Sequence, residues 1–116
     1  MQAIERHFAR LDGTHYPSLS STTGSLRFDV SCPGGSRYWW VETRDGNVEV
    51  SDKNDSADCI VVADEEPMAR VVTGEDNAIA LLVRGTIAVS GNLLLFLKLQ
   101  KVLLGPTAQV TEAQRG

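Results

Sequence analysis

Two cysteines and two histidines are the residues of this 116-residue chain that could support nucleophilic chemistry. A cysteine nucleophile works as a thiolate, which needs a nearby imidazole or another cation to lower its pKa. His7 falls in an amphipathic N-terminal segment and His15 in the loop that follows. Cys59 stands in the apolar run Cys59-Ile60-Val61-Val62, where a thiol acts as a small apolar filler. Cys32 opens the turn Cys32-Pro33-Gly34-Gly35 without the local signature of a catalytic thiol. The acidic groups Asp64-Glu65-Glu66 and Glu75-Asp76 sit where helices start, and capping with dipole complementarity accounts for them. Gly34-Gly35 lacks the lysine of a phosphate loop, and Gly85 and Gly91 bracket a strand instead of opening a helix. These residues argue for binding over catalysis, with no metal and no cofactor.

The elements that would position a binding site centre on Asp76 to Leu104. This stretch reads as a helix (Asn77 to Val83), a strand (Thr86 to Ser90) and a leucine-rich helix (Leu93 to Leu104), punctuated by Gly85 and Gly91. The last helix has only Lys98, Gln100 and Lys101 as polar residues. A surface helix needs one apolar stripe, so a helix apolar nearly all round must touch something on more than one side. Its twelve residues fall short of the ~20 that span a bilayer.

Composition bounds the rest. At 42% hydrophobic and 22% charged, the chain has the make-up of one small globular domain over residues 1–116. A net charge of −4 argues against nucleic acid, which selects a basic face. Glu5, Arg6 and Arg10 interrupt the apolar N-terminal pattern, so no secretory signal is read there. The expectation is a cytoplasmic protein with two reduced thiols.

Ile4, Phe8 and Leu11 share a helix face that Gly13 ends. After a Ser/Thr/Pro/Gly loop from Thr14 to Gly24, Ser25 to Val30 alternates as a half-buried strand. Arg37 to Thr43 follows, with Trp39 and Val41 on one face and Tyr38 and Trp40 on the other. Asp45-Gly46 predicts a type I′ hairpin turn into Asn47 to Ser51, which makes an antiparallel meander. A polar crossover from Asp52 to Asp58 leads to a strand from Ala57 to Ala63, expected to be buried on both faces. A helix capped by Asp64 presents Met68, Val71 and Val72 and stops at Gly74. The next helix presents Ile79, Leu82 and Val83 inward, and the final helix, capped by Asn92, presents Leu94 and Leu97. Gly105-Pro106 stops that helix, and Thr107 to Gly116 reads as a frayed tail.

The order and punctuation of these elements resemble a known family. Asp58-Cys59-Ile60-Val61-Val62, Thr73-Gly74-Glu75, Arg84-Gly85-Thr86-Ile87-Ala88-Val89-Ser90-Gly91-Asn92 and Leu97-Lys98-Leu99 together are similar to the sterol carrier protein 2 (SCP2) family, as is the hairpin Trp39 to Gly46. The resemblance covers roughly Ser25 to Leu104. It implies an α+β fold: an N-terminal helix, a five-stranded sheet, helices over one face and a C-terminal helix. It further implies an apolar tunnel for a fatty acyl chain, acyl-CoA or a sterol-like ligand, and no catalytic residue. The ligand-contacting residues so implied are Trp39, Val41, Ile60, Met68, Val72, Ile79, Leu82, Val83, Arg84, Ile87, Leu94 and Leu97. Arg84 departs from the glutamine common in the family; an inward guanidinium would favour an anionic head group over a neutral sterol, whereas one facing solvent would say nothing about the ligand. Lys98 and Lys101 would then stand at the tunnel rim. The sequence ends Gln114-Arg115-Gly116, which is no peroxisomal address.

Three functions remain open on these grounds. The first is a non-enzymatic lipid carrier with transient membrane or enzyme contacts. The second is an interaction module, in which the leucine-rich helix docks an enzyme or forms a homodimer. The third, an esterase- or thiolase-type enzyme, lacks a nucleophile–base signature.

Overall fold

The computed structural model describes residues 1–104; the expected Gly105-Pro106 stop and the tail from Thr107 lie outside them. The alternating segments form a five-stranded mixed sheet. Strands β1 (Gly24–Cys32), β2 (Gly35–Arg44) and β3 (Asn47–Ser51) make the expected antiparallel meander. β4 (Cys59–Asp64) lies parallel to β1, and β5 (Ala88–Gly91) runs antiparallel to β4, giving the order β3-β2-β1-β4-β5. The α+β class and element order expected from the sequence hold. The β2–β3 turn has Asp45 at φ 53° and Gly46 at φ 86°, the positive φ at both central residues that a type I′ turn demands.

Register decides which side chains share a face. Leu26 lies opposite Val41 and beside Cys59, while Phe28 lies opposite Trp39 and beside Val61. Val50 extends this face at one edge and Val89 at the other. Helices α1 (Gln2–Leu11), α2 (Glu65–Val72), α3 (Ala78–Arg84) and α4 (Leu93–Leu103) supply the other half of the core. Their buried residues include Ile4, Phe8, Met68, Val72, Leu81, Phe96 and Leu99, and they join the sheet residues in a single cluster. Hydrophobic burial over one sheet face is thus the main stabilising term.

The second face is only partly covered. Arg27 donates from Nη1 to the carbonyls of Asn54 (2.9 Å) and Asp55 (3.1 Å). Trp40 Nε1 donates to the Ser56 carbonyl (3.3 Å), with the Lys53 ammonium 4.8 Å from a Trp40 ring centroid. The polar crossover therefore lies against the outward side chains Arg27 and Trp40. Trp40 faces away from Trp39, as alternation requires. β4 departs from expectation: Cys59, Val61 and Ala63 are buried, but Ile60 is half-buried and Val62 is 43% exposed. A continuous apolar run marks burial on both faces only where helices cover both, and here they cover one.

Helix ends follow the capping residues. Asn77 Oδ1 accepts from Ile79 N (2.8 Å) and Ala80 N (3.2 Å), and Asn92 Oδ1 accepts from Leu95 N (3.1 Å). Gly85 closes α3 at φ 80°. Asp64 occupies the N-cap position of α2 without a side-chain capping bond.

Candidate ligand-binding site

The inner sheet face and the helices over it hold most of the residues expected to meet a ligand. Val41 is fully buried, and Met68, Val72 and Ile87 are nearly so. Trp39 is buried as well, and the space over it is filled. The Phe8 ring of α1 stacks on it at 5.1 Å with planes 18° apart, and the Arg37 guanidinium lies 4.7 Å from a Trp39 ring centroid. Trp39 thus packs beneath α1, not beside an open channel.

The remaining expected residues are placed differently from one another. Ile60 pairs with Arg27, which pairs with Trp40, so Ile60 belongs to the outer face and shares no wall with Trp39 and Val41. In α3, Ala78 and Leu81 face inward, Ile79 and Leu82 are half-buried, and Val83 is 81% exposed. In α4, Leu95, Phe96, Leu99 and Leu103 face inward, whereas Leu94 is 72% exposed and Leu97 half-buried. The leucine-rich segment offers almost no polar contrast, so the sequence could not show which leucines turn inward. Arg84 is exposed, and its Nε donates to the Ala80 carbonyl one turn back (3.4 Å). The structure therefore separates Val83, Arg84 and Leu94 from the buried set.

What remains is a set of half-buried apolar residues on α3, β5 and α4. Ile79 and Leu82 of α3, Val89 of β5 and Leu97 of α4 each pack against the core while keeping part of their surface open. The three elements follow one another in sequence, and β5 is a terminal strand of the sheet. Arg70 braces the approach to α3. Its Nη1 meets Glu66 (3.0 Å), its Nε meets Asp76 (2.7 Å), and its carbonyl accepts from Glu75 N (2.8 Å) and Asp76 N (3.1 Å).

Sequence reasoning gave no role to His7. Its ring is wholly buried, and Nε2 lies 2.6 Å from the Leu103 carbonyl, tying α1 to the last turn of α4. Burial pushes the imidazole down to about 4, with the Leu103 bond opposing and Arg10 adding to the shift. His7 is therefore neutral at pH 7 and serves as a donor. Its position on the Ile4–Phe8–Leu11 face was the available signal. The cysteines stand far apart in character: Cys59 is buried and its thiol raised by burial and by Asp58, while the half-buried Cys32 donates to the Gly35 carbonyl (3.1 Å).

Concave surface lies at the periphery. A cavity of about 630 Å³ is bounded by Ser31, Cys32, Pro33 and the start of α2. Another of about 490 Å³ adjoins Trp40, Glu42, Glu49 and Lys53, and one of about 310 Å³ lies between Ser21–Thr23 and the start of α4. None of these is lined by Trp39, Val41, Met68 or Leu82. Among the described residues no cluster of three or more His, Cys, Asp or Glu could hold a metal, and no helix is long and apolar enough to cross a membrane.

A five-stranded α+β sheet with helices over one face is the scaffold of this chain. The chain belongs to the SCP-2 sterol transfer family, whose model matches residues 4–104. Among solved structures, the crystal structure of sterol carrier protein 2 like 2 from Aedes aegypti matches with a TM-score of 0.64 at 24% identity, over 87% of this chain and 93% of that one. The palmitated form of the Aedes aegypti protein matches at 0.63 and 22% identity, over 87% and 90%. The sterol carrier protein domain 2 of Helicoverpa armigera matches at 0.64 and 20% identity, over 84% and 83%. A search of curated protein sequences found no match.

Proposed function

We propose that this chain is a non-enzymatic lipid carrier that takes a fatty acyl chain or a sterol-like ligand between α3, β5 and α4. The observation that carries the reading is the partial burial of Ile79, Leu82, Val89 and Leu97 on these three elements within a member of a sterol transfer family. Apolar pockets with few polar groups suit such ligands, and each buried methylene contributes about 0.8 kcal/mol before association costs. α3 is a seven-residue helix whose buried residues are Ala78 and Leu81, the shortest helix over the sheet face. The related Aedes aegypti protein has been solved in a palmitated form, which supports an acyl chain as the first ligand to try. Arg84, exposed at the end of α3, would meet the head group at the opening and select for negative charge.

The test is titration of delipidated protein with a fluorescent fatty acid, with native mass spectrometry of the undelipidated preparation. Saturable, competable binding and a co-purifying lipid mass are expected. A bare mass with no saturable binding would defeat the carrier reading, and a bare dimer would favour a docking module.

A further inference from the structure

The outward side of α4 has a composition that the proposed ligand site does not explain. Its inward stripe is Leu95, Phe96, Leu99 and Leu103. At 100° per residue the opposite stripe is Leu94, Leu97, Lys98 and Lys101, with Leu93 beside it. Leu94 is 72% and Leu93 46% exposed, and Lys98 and Lys101 are exposed beyond them. Three of the four exposed large hydrophobic residues, Val83, Leu93 and Leu94, fall between Ala78 and Leu104.

Charge follows the same division. From Ala78 to Leu104 the chain carries Arg84, Lys98 and Lys101 and no Asp or Glu, although the whole chain has a net charge of −4. The acid that reaches the start of α4 is turned elsewhere. Asp58 accepts from Asn92 N through its carbonyl (2.8 Å), while its carboxylate is engaged by Ser25 N (3.0 Å) and Ser25 Oγ (3.4 Å). The cavity beside Leu94 is lined by Lys98 and by Ser21, Thr22 and Thr23, an ammonium and three hydroxyls next to an exposed leucine.

We propose that the outward face of α4 docks on an anionic lipid bilayer. Leu93 and Leu94 enter the head-group boundary, and Lys98 and Lys101 lie against lipid phosphates. An interfacial helix combines a short apolar face with basic residues in this way. The negative surface potential of an anionic leaflet attracts each nearby lysine, within a Debye length of the surface. A second copy of this chain would accept the leucines but would set lysine rows against each other, so charge complementarity favours the bilayer. The proposal stands apart from the carrier reading and gives it an orientation: the α3–β5–α4 end of the sheet would face the membrane.

The test is flotation of the full chain with vesicles of phosphatidylcholine, alone or mixed with phosphatidylglycerol, at low and high salt. The wild type is expected to float with the mixed vesicles at low salt and to leave them at high salt or without phosphatidylglycerol. Lys98→Glu with Lys101→Glu should weaken the association by tenfold or more, and Leu94→Ser should weaken it without removing its salt dependence. Lys53→Glu, beside Trp40 on the outer sheet face, changes net charge as much as Lys98→Glu alone and should leave most binding intact. Failure of the wild type to float, equal losses for Lys53→Glu, or a concentration-dependent dimer abolished by Leu94→Ser would overturn the proposal. Fluorescent fatty acid titration of the same samples is independent: vesicle association without fatty acid binding would sink the carrier reading alone.

Discussion

Phe8 of α1 lies stacked on Trp39 of β2, 5.1 Å between centroids, and the same Phe8 meets Phe28 of β1 at 5.1 Å. One ring therefore clamps the N-terminal helix onto two neighbouring strands. Phe8→Ala is expected to cost about 3–5 kcal/mol through the lost burial and the cavity it leaves. Trp39→Phe should cost less and change the near-ultraviolet circular dichroism. Denaturant unfolding of the two variants checks the ranking; equal stability for Phe8→Ala and wild type would refute the clamp.

His7 gives a signed pH dependence. Its folded pKa is lowered to about 4 from the ordinary 6.5, so the unfolded chain binds the proton more readily between these values. The stability contributed by neutral His7 is complete above 6.5 and declines as pH falls to about 4, by an amount on the order of 3 kcal/mol. His7→Gln keeps a donor for the Leu103 carbonyl and removes the titration. Its unfolding free energy should vary less over that pH range than that of wild type, measured by urea titration at each pH.

The two thiols should react at different rates. Cys32 is half-buried, whereas Cys59 is buried with its pKa raised, and only thiolate reacts. One equivalent of thiol is expected to react quickly with an aromatic disulfide reagent at pH 7, and the second only on unfolding. Cys32→Ser should remove the fast phase. Two fast equivalents in the wild type would contradict the burial of Cys59.

Adjacent leucines of α3 separate stability from binding. Leu81 is 2% exposed, whereas Leu82 is half-buried against the core. Leu81→Ala should cost about 2–5 kcal/mol of stability. Leu82→Ala should cost less stability and weaken fatty acid binding. If Leu82→Ala binds a fluorescent fatty acid as wild type does, the ligand lies elsewhere.

Arg84→Gln tests head-group selection. With an exposed guanidinium, the loss in affinity for a fatty acid should be about 0.2–1 kcal/mol, with no change for its methyl ester. Competition titrations of both lipids against wild type and variant decide the matter; equal behaviour of acid and ester in both proteins would remove Arg84 from recognition.

The strands, turns and caps were legible because each has a local cause. Alternation placed Leu26, Phe28 and Val30 on one face, Asp45-Gly46 gave the hairpin, and Asn77 and Asn92 gave the helix starts. The family was legible from glycine spacing around β5. What failed depended on three-dimensional cover. The Cys59–Val62 run looks the same whether helices cover one face or two, and β4 has one covered. In α4 every stripe is leucine-rich, so the inward set was decided by contact with the sheet and α1, not by periodicity. Gly24 is an example of such contact: a Cβ there would lie 2.6 Å from a Leu95 methyl. The position of His7 against Leu103 joins residues 96 apart, which no local pattern reports.

The sheet has two unlike ends. β3 is closed by the chain that follows α1: Gly13 N donates to the Val48 carbonyl (2.8 Å), Val48 N to the Thr14 carbonyl (2.9 Å) and Tyr16 N to the Gly46 carbonyl (2.8 Å). Asp12 Oδ1 accepts from Val50 N (2.9 Å). At β5, among the described residues, no strand lies beyond Ala88–Gly91. An open edge is a template for pairing with another chain, and among the described residues β5 alone leaves one. The residues from Asp12 to Tyr16 occupy the groups that β3 would otherwise offer to another strand, so edge-to-edge pairing of copies through the described residues would stop at two.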